Sequence, residues 1–193
     1  MDREIISAYA VRLTLPSGRD RLSDADQEAL SGLTVGHFLP ILEDYQRAGG
    51  TFALLVSLSF AVLSARRPRV ALLARCSQLR EFMRRAVIVE ICDLHPGIPR
   101  GLINETAAMM KPFVRVVTGT VRTTADVSVL YRETDLHGIA IDCRHTPFRI
   151  IGDVVRAARR RTRNVIVHDV PNDVSTDTLR NIQASHVTWM EET

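Results

Sequence analysis

Short runs rich in β-branched and other apolar residues alternate with longer helix-like segments along almost the whole chain. This alternation limits the fold more than any other feature of the sequence. The runs cover residues 5–13, 52–58, 86–91, 113–118, 138–141, 164–168 and 186–189. Most are continuously apolar, the pattern of strands buried on both faces of a parallel sheet. Strand followed by helix followed by strand, repeated, predicts βα units.

The intervening segments carry helix punctuation. Ser23 with Asp26 three residues on marks an N-cap, and segment 40–48 runs into Gly49 and Gly50, which suit a left-handed helix terminus. Pro68 fits the first turn of a helix holding Val70, Leu73, Ser77 and Arg80. Further helices are predicted over 99–110, 123–132, 147–161 and 175–184. A closed eight-stranded barrel takes about 250 residues. Seven strands in 193 residues therefore predict either a trimmed barrel or an open doubly wound sheet, built as one domain over 1–193.

Composition removes several function classes. With 46% hydrophobic and 24% charged residues, the chain has the balance of an ordinary globular protein. Its longest apolar stretch, 52–63, is interrupted by Ser57 and Ser59 and falls short of the roughly 20 residues that cross a bilayer, so no membrane partner is expected. The start, Met1-Asp2-Arg3-Glu4, lacks the pattern of a secretory signal. Cys76, Cys92 and Cys143 are dispersed and odd in number, which predicts reduced thiols and a cytoplasmic location. Net charge is only +3, and Lys111 is the sole lysine. The one dense basic run, Arg159-Arg160-Arg161-Thr162-Arg163, falls where a helix should end and suits its negative pole, so no nucleic-acid partner is expected.

In parallel βα folds, ligands bind at the C-terminal ends of the strands. The polar residues there are Ser57 and Ser59, Glu90 and Asp93, Thr118 to Thr120, Asp142 and Cys143, and His168 and Asp169. No phosphate loop, CxxC, HExxH or GxSxG is present. Asp142-Cys143-Arg144-His145 sets a thiol near an imidazole, but nearness in sequence is not the hydrogen-bonded pairing a nucleophile needs.

The order and spacing of these strand-end residues resemble those of EAL-type cyclic di-GMP phosphodiesterase domains. Segment 114–142 runs without a gap against the family stretch that contains its paired aspartates and ends in Lys-Ile-Asp. Segment 165–172, VIVHDVPN, resembles VVAEGVET; Val89-Glu90-Ile91-Cys92-Asp93 resembles LEITE; and Leu55-Val56-Ser57-Leu58-Ser59 resembles SVNLS. Residues 8–13 resemble the EALVRW strand. The resemblance implies an α/β fold, an EAL-like variant of the (β/α)8 TIM-type barrel, lacking the family's first strand. An open strand edge in such a barrel implies a homodimer or a larger parent chain.

The resemblance also implies which groups survive. Arg12, Glu90 and Asp142 would be a remnant of the nucleotide site. The signature glutamate is Ala8, the metal-binding asparagine is Ser57, and the paired aspartates are Gly119 and Thr120. The lysine is Ala140, and the two glutamates of AEGVET are His168 and Pro171. Active members use Mg²⁺ or Mn²⁺. Two divalent ions about 4 Å apart repel by about 16 kcal/mol at an effective dielectric of 20, so such a pair needs several carboxylates. The expectation is therefore no catalytic residue, no enzyme and no cofactor: an inactive, degenerate EAL-like domain acting as a protein-interaction or regulatory module in bacterial signalling. The alternatives are a non-catalytic cyclic di-GMP receptor using Arg12, Glu90 and Asp142, and a hydrolase holding one Zn²⁺ or Mn²⁺ on Glu90, Asp142 and His168.

Overall fold

The structure is a computed structural model that describes residues 8–11, the helical positions 29, 36, 37, 40, 41, 43, 44 and 47, and residues 53–131 and 134–190. Arg12, the cap at Ser23 and the terminus at Gly49 and Gly50 lie outside the described residues. The chain divides into two compact units, one of Met1–Cys92 with Met109–Val116, the other of Asp93–Ala108 with Val117–Thr193.

In the first unit, β1 (Ala8–Val11), β2 (Ala53–Ser59) and β3 (Val87–Cys92) form a parallel sheet. Ser57 stands opposite Glu90 in that register. Leu54, Val56 and Leu58 on β2 and Val87, Val89 and Ile91 on β3 are buried, each worth about 1.5–3 kcal/mol. Three helices lie between β2 and β3: α1 (Phe60–Ser64), α2 (Arg66–Ser77) and α3 (Glu81–Arg84). The helix expected to run from Pro68 through Arg80 instead stops at Ser77, and Arg80 becomes the extended N-cap of α3. Arg84 explains the break: its Nε donates to the Leu79 carbonyl at 2.9 Å and its guanidinium to that of Ser77 at 3.2 Å. These bonds take carbonyls that a continuing helix would have used itself.

Helix α4 (Arg100–Met110) leads to a 3₁₀ turn at Lys111–Phe113. The fourth strand was expected from Phe113. β4 is instead Val116–Val121; Pro112 within the turn has no N–H to give a sheet ladder, and Phe113 stacks under the Arg84 guanidinium.

In the second unit, β4, β5 (Gly138–Asp142), β6 (Asn164–Val170) and β7 (His186–Trp189) pair in parallel, in chain order. Helix α5 (Thr124–Leu130) begins at a reciprocal capping box between Thr123 and Asp126. Helix α6 (Phe148–Arg159) buries Ile151, Val154, Val155 and Ala158, the i, i+3, i+4, i+7 stripe that turns one face to a sheet. Its last turn carries Arg156 and Arg159, as the macrodipole favours. Ser175 caps α7 (Thr176–Ile182), which ends at Gln183 in the left-handed conformation, φ 62°. Among the described residues, no helix is long and apolar enough to cross a membrane.

Candidate functional site

The C-terminal ends of β5 and β6 carry the most organised polar cluster of the second unit. Parallel pairing sets Asp142 opposite His168. The chain turns directly after β5, and Arg144, two residues on, folds back over the strand end. Its backbone N–H donates to Asp142 Oδ1 at 2.8 Å, and its guanidinium donates to Oδ2 at 2.8 Å. The same guanidinium reaches across to β6, where Nε lies 2.7 Å from Asp169 Oδ2. His145 Nδ1 adds a contact to Asp142 Oδ2 at 3.2 Å. One arginine thus holds two carboxylates from adjacent strands.

This arrangement fixes the charge of Asp142. Its half-buried position alone would push the carboxyl up, but the Arg144 hydrogen bonds and charge, with His145 beside them, bring it down to about 2. The group is ionised at neutral pH and committed to its counter-ion, so it makes a poor proton donor. The thiol of Cys143 moves the other way. Burial, then the charges of Asp142 and Asp169, raise it to about 11, which leaves it a weak nucleophile near pH 7. The thiol–imidazole stretch singled out in the sequence is therefore no activated pair, because His145 faces Asp142.

Backbone geometry locks Asp169 into place. It adopts φ 51° at an irregularity in the β6–β7 register, a left-handed conformation that aspartate tolerates better than most side chains. Its N–H donates to Thr188 Oγ1 at 3.1 Å, and His168 Nδ1 lies 3.2 Å from the same hydroxyl. Asp169 also stands where the resembling motif has its glycine, the residue that favours such a conformation.

Several further residues at positions of the resembling family pattern fall on one face of the sheet. Thr120 pairs with Ala140, Asp142 with His168, and alternation along strands sets Thr118, Thr120, Ala140, Asp142 and His168 to the same side. Ala140 and His168 are buried, as is Thr118. Where a lysine and carboxylates would project, this face presents a methyl, two hydroxyls and a histidine partnered by Thr188. Gly119 is more restrictive still. A Cβ built there would stand 2.6 Å from Leu94 Cδ1 and 2.9 Å from the Tyr131 hydroxyl. That buried hydroxyl lies 2.6 Å from the Gly119 carbonyl and 2.8 Å from that of Gly138, and shares its proton between them. Tyr131 thus fills the space an aspartate at position 119 would need.

In the first unit, Glu90 is 3% exposed, with Cys92 Sγ 3.6 Å from its Oε1. Among the described residues, no three His, Cys, Asp or Glu side chains are grouped so as to hold a metal ion. In the second unit Asp142 is engaged by Arg144, and His168 by Thr188. The described residues at the ends of β5 and β6 present no donor set that fits a pair of divalent cations. Sequence reasoning named Asp142 and Asp169 but missed Arg144 as their common partner, and it missed Tyr131. The signal available was an arginine two residues beyond a strand-end aspartate, with a second aspartate at the end of the next strand.

No family model matches the chain, and no curated protein matches it either. Solved structures do. The FimX EAL domain superposes with a TM-score of 0.65 at 14% identity, covering 91% of this chain and 77% of that one. An EAL domain protein from Listeria monocytogenes gives 0.56 at 10% identity over 81% of this chain and 63% of that one. The homocysteine methyltransferase MmuM from Escherichia coli gives 0.55 at 18% identity over 97% and 75%. The fold is that of an EAL-type (β/α) barrel, and the described strands form a partial one without a counterpart of the first strand.

Proposed function

From a chain with the fold of an EAL domain, we propose a catalytically silent signalling module that works by binding a protein partner and not by cleaving a cyclic dinucleotide. The observation that carries this reading is the Arg144 guanidinium held by Asp142 and Asp169 at the strand ends. There a two-metal phosphodiesterase would keep free carboxylates, and this chain keeps an internal cation. The packing of Tyr131 against Gly119 supports the same reading, because it leaves no room for one of the missing acids. Fold alone does not fix chemistry, and the methyltransferase among the similar structures illustrates that point.

A second reading is a receptor that binds cyclic di-GMP without cutting it. It is favoured by one specific observation: a structurally similar EAL domain, FimX from Pseudomonas aeruginosa, is solved bound to c-di-GMP. In this reading Arg12, Glu90 and Asp142 are the ligand-binding candidates.

The deciding experiment incubates the purified chain with cyclic di-GMP and Mg²⁺ or Mn²⁺, beside a heat-inactivated control, and titrates the same nucleotide calorimetrically. No turnover and no saturable heat is the expected result. Turnover above the control overturns the silent-module reading. Saturable binding without turnover moves the assignment to the receptor.

A further inference from the structure

Helices α5 and α6 of the second unit enclose a cleft of about 520 Å³, a volume in the range of small-molecule sites. From α5 come the hydroxyls of Thr124 and Ser128, one turn apart. From α6 come Asp153, Arg156 and the C-cap residue Arg160. Ala125 and Ala157 complete the lining, and their single methyl groups leave the space between the helices open.

The charges on this lining are not balanced. Arg156 donates from one guanidinium nitrogen to Asp153 Oδ1. Both members of that pair are exposed, where ion pairs hold weakly. The Arg160 guanidinium makes no ion pair and no hydrogen bond with any described residue. Nor is it needed to finish the helix, because the N–H groups of Arg161 and Thr162 both reach the Ala158 carbonyl, at 2.9 and 3.0 Å. Ser128 Oγ donates to the Thr124 carbonyl at 3.2 Å, while the Thr124 hydroxyl is unbonded among the described residues. A free cation and a free hydroxyl therefore share the cleft. The surrounding charge has the same sign as the cation: segment 153–163 holds five arginines and one acid, net +4 in a chain whose total is +3. Its field draws anions towards the cleft.

We propose that this cleft binds a small soluble phosphate monoester, its phosphoryl group held by Arg160, the uncommitted N–H groups of Arg156 and the Thr124 hydroxyl. Arg156 and Arg160 stand four residues apart, neighbours on one helix face. A planar carboxylate is satisfied by one guanidinium fork, whereas a phosphoryl group has three terminal oxygens and accepts from both arginines and the hydroxyl at once. The lining has no aromatic ring and no apolar side chain larger than alanine, so it offers nothing to a nucleobase or an acyl chain. The site lies apart from the strand-end cluster and does not depend on how that cluster is read.

The probe is glucose 6-phosphate, titrated into the full chain and followed by amide NMR shifts. Saturable shifts are expected within residues 124–128 and 153–160, with none from glucose and at least tenfold weaker binding of gluconate. Arg160→Gln should weaken binding at least tenfold, as loss of a charge-assisted hydrogen-bond donor does. Arg163→Gln makes the same charge change outside the lining and should weaken it less than twofold. Asp153→Asn removes the acid of the lining, releases Arg156 and should tighten binding. The urea midpoint of each variant is measured beside it. If Arg160→Gln fails to fold, Ala157→Gln, which fills the cleft without altering charge, should abolish binding in its place. Absence of saturation overturns the proposal, as does equal affinity for gluconate or no gain in Asp153→Asn. Equal losses in Arg160→Gln and Arg163→Gln also overturn it, by showing a diffuse field and no site. Affinity that falls as the protein concentration is raised assigns the cleft to a second copy of the chain and overturns it too.

Discussion

Replacing Arg144 by alanine tests the central electrostatic argument. Asp142 falls from its ordinary 3.8 to about 2 in the folded chain, which corresponds to about 2.5 kcal/mol at about 1.4 kcal/mol per pH unit. Arg144 is 53% exposed, so solvent screens the pair and about 1–2 kcal/mol is the expected loss at pH 7. The sign follows from linkage. A carboxylate depressed in the folded state contributes fully above its unfolded value and loses its contribution as pH falls towards the folded one. The deficit of Arg144→Ala should therefore be full above about pH 5 and shrink steadily from pH 4 towards pH 2. Arg144→Lys should recover only part of it, because an ammonium cannot fork between Asp142 and Asp169. Urea unfolding followed by circular dichroism across this pH range measures the effect. A deficit that stays constant with pH, or none at pH 7, would show that the bridge contributes nothing beyond packing and would refute the account of Asp142.

Gly119→Asp, which restores an acid the resemblance calls for, should destabilise the chain by more than about 2 kcal/mol through the clash with Leu94 and Tyr131 and should restore no phosphodiesterase activity. A stable or active variant would refute the steric argument. Tyr131→Phe leaves two buried carbonyls to share fewer donors and should cost about 1–3 kcal/mol by the same unfolding assay. Thr188→Val removes the partner of both the Asp169 N–H and His168 Nδ1 and should cost about 1–2 kcal/mol. Cys76 and Cys143, both raised to about 11, should alkylate with iodoacetamide at pH 8 more slowly than an ordinary thiol, as peptide mapping by mass spectrometry would reveal.

Much of the architecture was legible because it is written in local pattern. Each of the seven apolar runs overlaps a strand, and 186–189 matches β7 at both ends. Pro147 and Ser175 stand at the starts of α6 and α7, as their chemistry requires. The errors came where a distant side chain intervened. Nothing in residues 68–80 announces that Arg84 will take the carbonyls of Ser77 and Leu79, and periodicity there predicts one helix where the fold has two. At position 113 the apolar side chain suggested a strand, while Pro112 and the contact with Arg84 made it a turn.

The same division separates the residues of the site. The order of βα units, the strand ends at which Asp142 and Asp169 lie, and the presence of Ala140 and Gly119 where the resembling motif has charged groups can all be read along the chain. What those positions became depended on contacts made across the folded sheet. The register of β5 against β6 brought Arg144 onto an aspartate 25 residues away, and the packing of α5 carried Tyr131 into the space beside Gly119. Local pattern follows from backbone geometry and side-chain polarity, which each short window of sequence contains. Ion pairing and steric exclusion depend on a few ångströms between segments distant along the chain, and those separations exist only once the sheet has formed.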